Sequence, residues 1–137
     1  MKILIVEDEI LIALELERIV AEAGHMVIGP VATLEQALAY AVQSELVLLD
    51  VRLADGHTGG AIGRRLMDRF GVKVIFVTAN PDSIGYGLEG ASGVIMKPFT
   101  DSDIISAIDH VLAEGRPNRS GPSETEGAMS VVSATSR

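Results

Sequence analysis

The sequence predicts an α/β fold in which a parallel β-sheet is covered by helices on both faces. Short, β-branched apolar runs alternate along the chain with longer amphipathic stretches, and this alternation is typical of right-handed βαβ crossovers. The chain has 137 residues, the size of one ordinary domain. Because 47% of its residues are hydrophobic and 22% are charged, it can bury a core and differs in composition from disordered chains.

Three strands and two helices are predicted in the first 50 residues. Continuous apolar runs at residues 2–6 and 46–49 indicate buried strands, and residues 25–29 indicate a weaker one. The second helix covers residues 33–42, where Thr33 and Gln36 form a capping box. The first helix ends before a glycine at position 24, and its spacing places four apolar residues on one face: Leu11, Leu14, Ile19 and Val20.

Two strands, two helices and a segment of loose turns are predicted after residue 50. The strands cover residues 72–77 and 93–96. Residues 81–90 contain three glycines, each of which costs a helix roughly 1 kcal/mol relative to alanine, so only one or two turns are expected there. The helix before residue 72 ends at Gly71 and is marked by Ile62, Leu66, Met67 and Phe70. The last helix, residues 101–112, is capped by Thr100 and directs five apolar residues inward: Ile104, Ile105, Ile108, Val111 and Leu112.

The composition predicts one domain at residues 1–115 and a flexible Ser/Thr/Gly/Pro-rich tail at residues 116–137. A net charge of −8 repels nucleic acid, so direct binding of DNA or RNA is not expected. The absence of cysteine excludes disulfides, thiolate zinc sites and a cysteine nucleophile. The apolar runs are far shorter than the roughly 20 residues of a membrane span, and no secretory leader is visible, so a cytoplasmic location is expected.

Polar residues that can carry chemistry follow four of the predicted strands. The first strand is followed by Glu7 and Asp8, the third by Asp50, the fourth by Thr78 and the fifth by Lys97. Ligands of open α/β sheets bind at the carboxyl ends of the strands, which is where these residues lie. Crowded carboxylates repel one another unless a cation binds, and oxygen ligands favour a hard ion. The set therefore predicts a Mg²⁺ site.

Four segments of the sequence occur in an order and spacing that is specific to one family. They are Ile3-Leu4-Ile5-Val6-Glu7-Asp8, Leu48-Leu49-Asp50, Val77-Thr78-Ala79 and Lys97-Pro98-Phe99. Together they resemble the receiver domain of bacterial two-component response regulators, and the resemblance covers residues 1–115. It implies a flavodoxin-like (βα)5 three-layer sandwich with five parallel strands in the order 2-1-3-4-5. The segments Leu11-Ile12-Ala13-Leu14 and Leu53-Ala54-Asp55-Gly56 are also similar to receivers of general-stress regulators.

The resemblance implies that Asp50 is the phosphoacceptor, a nucleophile that takes a phosphoryl group from a phosphohistidine. It also implies a site for Mg²⁺ (or Mn²⁺) formed by Asp8, Asp50 and the backbone carbonyl of Arg52. Glu7 would contact the ion through water. These assignments agree with the chemistry of the residues, because phosphoryl transfer depends mainly on positioning and charge neutralisation.

Three further residues would bind the phosphoryl group in a receiver of this kind. Lys97 would pair with one phosphoryl oxygen, Thr78 would donate a hydrogen bond to another, and the backbone N–H of Ala79 could add a third donor. In the family, the peptide bond between Lys97 and Pro98 is cis, which would direct the ammonium into the site.

A stand-alone receiver that signals through protein–protein contacts, and is not a classical enzyme, is the function that these features predict. Its donor would be a sensor histidine kinase or a histidine phosphotransferase, its downstream partner is an unidentified protein, and the chain would be a monomer or a weak homodimer. Two alternatives stay open: a phosphoryl relay or sink, and a pseudo-receiver that docks constitutively. A haloacid-dehalogenase-type phosphatase is disfavoured because Arg52 stands where that class needs a second aspartate.

The sequence departs from the family pattern near the expected switch. Receivers usually carry an aromatic residue three positions before the lysine, and here that position is Val94. The segment from Thr78 to Lys97 is shorter than usual and contains Tyr86 as a candidate substitute. We therefore expect residues 80–90, instead of a rotating ring, to change most on phosphorylation. The three histidines show no metal-ligand spacing: His25, His57 and His110.

Overall fold

A five-stranded parallel sheet forms the centre of the domain, with its strands in the order β2-β1-β3-β4-β5. The computed structural model describes residues 1–52 and 59–114. Its strands are β1 (Lys2–Val6), β2 (Met26–Val31), β3 (Leu46–Asp50), β4 (Lys73–Thr78) and β5 (Gly93–Met96). The strand order and the parallel pairing confirm the predicted flavodoxin-like sheet.

Among the described residues, three α-helices and a pair of short 3₁₀ turns connect the strands, and a fourth α-helix follows the last strand. The helices are α1 (Ile10–Glu22), α2 (Leu34–Ala41), α3 (Gly59–Phe70) and α4 (Asp101–Glu114). Between β4 and β5, where a regular fifth helix would complete the (βα)5 pattern, the chain forms two 3₁₀ segments, Pro81–Ser83 and Gly85–Leu88. The loose turns predicted from the glycine content are thus confirmed.

Two apolar layers fill the space between the sheet and its helices. Alternate residues of β1 point to opposite faces, so Leu4 packs with the helices α2 and α3, whereas Ile5 packs with α1 and α4. The first layer includes Phe76 of β4 and Leu66 of α3, and the second includes Leu16 of α1. This is the three-layer arrangement that continuously apolar parallel strands predict.

The predicted caps are present at both helices for which sequence signals existed. The hydroxyl of Thr33 accepts from the N–H of Gln36 at 3.2 Å, while the Gln36 side chain accepts from the N–H of Ala32 at 2.9 Å, one residue earlier than in a standard capping box. At α4, Thr100 and Asp103 cap each other reciprocally, with distances of 3.1 and 2.9 Å. These caps fix where the helices begin.

The predicted inward faces of the first and last helices are partly wrong. Leu11 and Leu14 are 78% and 51% exposed, and Ile105 is 37% exposed. The buried face of α1 is instead formed by Ala13, Leu16, Ile19 and Val20. Because the start of α1 is apolar on almost every side, its periodicity is compatible with more than one inward face.

The second strand is longer than predicted and continues through a proline. It was expected at residues 25–29 but extends to Val31, and the peptide bond between Gly29 and Pro30 is cis. β2 is at the edge of the sheet, where a proline removes no hydrogen bond from a central ladder.

Several predictions fall outside the described residues. They concern the tail at residues 116–137, the loop 53–58 with His57, and the side chain of Tyr86. Among the described residues, no helix combines the length and the apolar character that crossing a membrane requires.

Candidate functional site

All the predicted strand-end residues meet along one edge of the sheet. β1 is followed by Glu7 and Asp8, β3 ends at Asp50, β4 ends at Thr78, and Lys97 comes directly after β5. The parallel register places these ends side by side, because each strand pairs with its neighbour up to its last residues. Buried apolar strands therefore hold the polar side chains at fixed positions.

Glu7, Asp8 and Asp50 form a compact group of carboxylates. One oxygen from each residue lies within 4.8 Å of the oxygens of the other two. Glu7 and Asp50 are buried, and Asp8 is partly exposed. Glu7 Oε1 is buried, and the ammonium of Lys97 lies 3.2 Å from it. Three clustered carboxylates in an oxygen-only donor set fit a hard cation such as Mg²⁺, whose octahedral shell places its ligands about 3–4 Å apart.

Lys97 lies between three carboxylates. Its Nζ is 3.2 Å from Oε1 of Glu7, 3.2 Å from Oδ1 of Asp50 and 3.6 Å from Oε1 of Glu9. The Lys97 side chain is only 15% exposed, and those of Glu7 and Asp50 are buried, so the ion pairs of Lys97 with these two residues are shielded from solvent. In this structure, the ammonium compensates part of the negative charge that a bound cation would also neutralise.

Burial and charge change the proton affinities of this group. The pKa of Glu7 is raised to about 7, first by burial and second by the charge of Asp50. Burial also raises the pKa of Asp50, against the opposing effect of Lys97. Burial alone would lower the pKa of Lys97, but the carboxylates of Glu7 and Asp50 outweigh it and the pKa is raised. Lys97 is therefore an ammonium at neutral pH, while Glu7, with its pKa of about 7, can exchange a proton for a cation.

Thr78 is buried at the end of β4, and its hydroxyl is bound within its own turn. Oγ1 accepts from the N–H of Asn80 at 3.0 Å and donates to the carbonyl of Asn80 at 3.2 Å. The N–H of Lys97 donates to the Thr78 carbonyl at 2.8 Å, and the bond from Lys97 to Pro98 is cis, as the resemblance implied. To reach a phosphoryl group on Asp50, the Thr78 hydroxyl would exchange the Asn80 carbonyl for a phosphoryl oxygen.

An open cavity of about 310 Å³ lies at the carboxyl ends of the strands. At roughly 30 Å³ per water molecule, it has room for a phosphoryl group and several waters. Eight of the described residues line it: Glu9, Asp50, Val51, Arg52, Thr78, Ala79, Asn80 and Lys97. Five of these were predicted as site residues, so the cavity brings together the predicted acceptor and the predicted phosphoryl-binding residues.

Three residues of the lining were not predicted as site residues: Glu9, Val51 and Asn80. Glu9 extends the acidic run that begins at Glu7, and this run is the sequence feature that could have placed Glu9 at the site. Asn80 follows Thr78 by two residues, and its side chain accepts from the N–H of Asp82 at 3.2 Å, which caps the first 3₁₀ turn. Residues that follow a strand end share the edge at which ligands bind, which is why these positions reach the cavity.

A second, mostly apolar depression of about 460 Å³ adjoins the first cavity. The two share Ala79 and Lys97. Its other walls come from Leu11, Ile12 and Glu15 of α1 and from Pro98 and Phe99 after β5. The exposed side of α1 that the sequence had placed in the core thus lies beside the candidate phosphorylation site.

Comparison with known proteins agrees with this geometry. Residues 3–109 match the family described as response regulator receiver domain. The chain is 39% identical over 115 residues to the phyllosphere-induced regulator PhyR of Methylorubrum extorquens. The matched region covers 81% of this chain and 43% of that protein. It also resembles a solved CheY-like receiver domain protein from Methanospirillum hungatei, with 30% identity, a TM-score of 0.74 and coverage of 82% of this chain and 94% of that one.

A third similar protein is PhyR from Brucella abortus, whose crystal structure matches with 33% identity and a TM-score of 0.73. The match covers 82% of this chain and 48% of that one. Because regulators named PhyR recur among the relatives, the narrower resemblance to general-stress regulators is supported as well. The chain spans about half the length of the curated relatives that it matches. The strand order and the match over residues 3–109 agree, and the chain belongs to the response regulator receiver domain family.

Proposed function

We propose that this chain accepts a phosphoryl group on Asp50 from a phosphohistidine, in a reaction that needs Mg²⁺ or Mn²⁺. The observation that carries the proposal is the surroundings of Asp50. The Lys97 ammonium lies 3.2 Å from its carboxylate, and two further carboxylates are close enough to share a cation with it. This combination of a nucleophile with cationic partners suits phosphoryl transfer, which depends on charge neutralisation.

Asp50 supplies the nucleophile of the proposed reaction. One carboxylate oxygen forms a bond to phosphorus while the bond from phosphorus to the histidine nitrogen breaks. The electron pair of the broken bond stays on the imidazole, which then takes a proton from solvent. Asp8, Asp50 and the Arg52 carbonyl would hold the cation, with Glu7 in contact through water. When bound, the ion neutralises charge on the carboxylates and on the phosphoryl oxygens.

Three other residues bind the transferred group in this proposal. Lys97 pairs with one phosphoryl oxygen, for which its position 3.2 Å from Asp50 Oδ1 is suited. Thr78 and the N–H of Ala79 donate to the remaining oxygens, and both residues line the cavity. Because Thr78 gives up its hydrogen bond to the Asn80 carbonyl when it turns inward, occupation of the site is transmitted to the segment after β4.

The donor is a protein in this proposal, either a sensor histidine kinase or a histidine phosphotransferase. The apolar depression beside the cavity supports a protein donor, because a helix of such a protein can cover Leu11 and Phe99 while its phosphohistidine enters the cavity. The proposed compartment is the cytoplasm, where kinases draw phosphoryl groups from ATP. Output is through contacts with a downstream protein, from a monomer or a weak homodimer.

Intact-mass measurement after incubation with acetyl phosphate and Mg²⁺ tests this function. The wild type should gain the mass of one phosphoryl group, and Asp50→Asn should gain none. Asp109→Asn, which removes an exposed carboxylate from α4, is the matched control and should react like the wild type. Chelation of the divalent ion should stop the reaction.

Two results would contradict the assignment. If Asp50→Asn still gains the phosphoryl mass, another residue is the acceptor. If the wild type gains no mass from acetyl phosphate or from a histidine kinase, the chain is a pseudo-receiver that docks constitutively. Rapid onward transfer from Asp50 to a histidine phosphotransferase would identify a relay.

A further inference from the structure

Glu9 lies at the mouth of the cavity, directly before α1. Its backbone is fixed on both sides: the N–H donates to Oε2 of Glu7 at 3.1 Å, and the carbonyl accepts from the N–H of Ala13 at 2.9 Å. The extended backbone of Glu9, with φ −82° and ψ 111°, is that of a helix N-cap residue. The position of this side chain therefore follows from the start of α1.

The Glu9 carboxylate is directed toward Lys97 and not toward the helix. In the described part of the chain it makes no capping hydrogen bond to α1, although an acidic residue at this position commonly does. Its Oε1 lies 3.6 Å from Lys97 Nζ, and the side chain is 65% exposed. It also lines the cavity that contains Asp50.

The charge of Glu9 is separate from the group that could bind a cation. The three clustered carboxylates are those of Glu7, Asp8 and Asp50. Glu9 instead competes for the Lys97 ammonium, which a phosphoryl group on Asp50 would need, and it adds a negative charge where an anionic donor must enter.

We infer that Glu9 is a specificity-determining residue that slows the phosphorylation of Asp50 by small dianionic donors. It does so by repelling the donor and by sharing Lys97 with it. This inference rests on the proposed function, in which Asp50 is the acceptor. A phosphohistidine carried by a protein offsets the repulsion through contacts along the apolar depression, whereas a free acyl phosphate has no such contacts.

The size of the effect follows from the charges involved. Two unit charges roughly 4–6 Å apart in water interact with an energy that is equivalent to about a three- to fivefold change in rate. Because acetyl phosphate is a dianion, its interaction with Glu9 is about twice this energy, and Glu9→Gln should raise its initial rate by roughly tenfold at low ionic strength. The gain should be smaller with phosphoramidate, a monoanion, and should shrink as salt is added because the Glu9 side chain is exposed.

The test measures initial rates of Asp50 phosphorylation by intact mass, with Mg²⁺ present and with each donor at low and high salt. With acetyl phosphate, a bond from phosphorus to Asp50 forms as the bond from phosphorus to the acetate oxygen breaks, and acetate is released. Glu9→Asp keeps the charge and should restore the wild-type preference. Glu35→Gln makes the same substitution at an exposed residue of α2 outside the cavity lining and should leave the rates unchanged.

Several outcomes would overturn the inference while leaving Asp50 as the acceptor. They are equal rates for Glu9→Gln and the wild type at low salt, an equal gain with both donors, and an equal gain in Glu35→Gln. If neither small donor nor a histidine kinase modifies the wild type, the proposed function itself fails, and the inference fails with it. Thermal unfolding of each variant distinguishes an effect of charge from loss of the fold.

Discussion

Glu7 is the residue whose chemistry depends most on where the fold places it. Its side chain is fully buried beside Asp50, and its pKa is raised from the ordinary value near 4.5 to about 7. A carboxyl with a raised pKa holds its proton more tightly in the folded state than in the unfolded state. The free energy of unfolding therefore decreases as the pH rises from the unfolded-state pKa of Glu7 to its folded-state pKa. Above the folded-state pKa, Glu7 no longer changes the stability.

We expect the metal-free protein to lose stability between about pH 4.5 and pH 7 because of Glu7, by roughly 2–3 kcal/mol. Asp50, whose pKa is also raised, contributes with the same sign. Urea unfolding at several pH values measures the slope. Glu7→Gln should flatten it, and Glu35→Gln should keep it. A wild-type slope in Glu7→Gln would show that Glu7 is not the titrating group. Added Mg²⁺ should restore stability near pH 7.5, since it binds the folded state.

At the scale of elements, the two 3₁₀ turns between β4 and β5 depend on their contacts with α3. Arg64 donates from Nη1 to the carbonyl of Glu89 at 2.8 Å, which ties the end of the segment to the helix. Near its beginning, Gly60 of α3 approaches the backbone of Ile84 so closely that a Cβ at Gly60 would collide with the Ile84 carbonyl oxygen. These contacts matter for the order of the segment, because its glycines weaken any helix of its own.

Residues 80–90 should change more than any other part of the folded domain when Asp50 is phosphorylated. Val94, which is fully packed in the core, has no ring to report the state of the site. The hydroxyl of Thr78 is instead bonded to Asn80, at the start of this segment. Hydrogen exchange with and without beryllofluoride and Mg²⁺ measures the response. Equal protection of residues 80–90 in both states would contradict this prediction.

Hydrogen exchange of Arg64→Met tests whether the hydrogen bond from Arg64 to the Glu89 carbonyl stabilises the end of this segment. Losing a hydrogen bond from a guanidinium to a backbone carbonyl should raise exchange near residues 88–91 by about tenfold without beryllofluoride. Arg65→Met is the control, because Arg65 is an exposed arginine on the same helix.

At the scale of the whole molecule, the sequence predicted the features that depend on local patterns. Apolar strands that become polar only at their carboxyl ends indicate both the sheet and the site at its edge. The features that were missed depend on tertiary neighbours. Leu11 is exposed because the sheet covers another side of an almost uniformly apolar helix start. Pro30 is part of β2 because that strand is at an edge, and Glu9 reaches the cavity because Lys97, 88 positions away in the chain, lies beside it.

The face formed by the 3₁₀ turns, β5 and α4 carries an unbalanced charge. Residues 81–112 contain a single Lys or Arg, which is Lys97, and its ammonium is bound inside the site by Glu7 and Asp50. The acids in the same range are Asp82, Glu89, Asp101, Asp103 and Asp109. Two of them are engaged within the chain: Asp101 pairs with Arg18 at 2.9 Å, and Asp103 accepts from the N–H of Thr100 at 2.9 Å.

This face should therefore not form a dimer through salt bridges, either before or after activation. A two-fold axis brings the same patch of both copies together, so acids would meet acids. Any self-association should rest on apolar contacts, for which α1 offers the exposed Leu11 and Leu14, and it should strengthen or stay constant as salt screens the repulsion. Sedimentation velocity with beryllofluoride at low and high salt is the measurement. A dimer that forms on activation, dissociates at high salt and is lost in Asp109→Asn would contradict this prediction. Such a dimer would be held by salt bridges, for which residues 81–112 offer no basic partner besides Lys97.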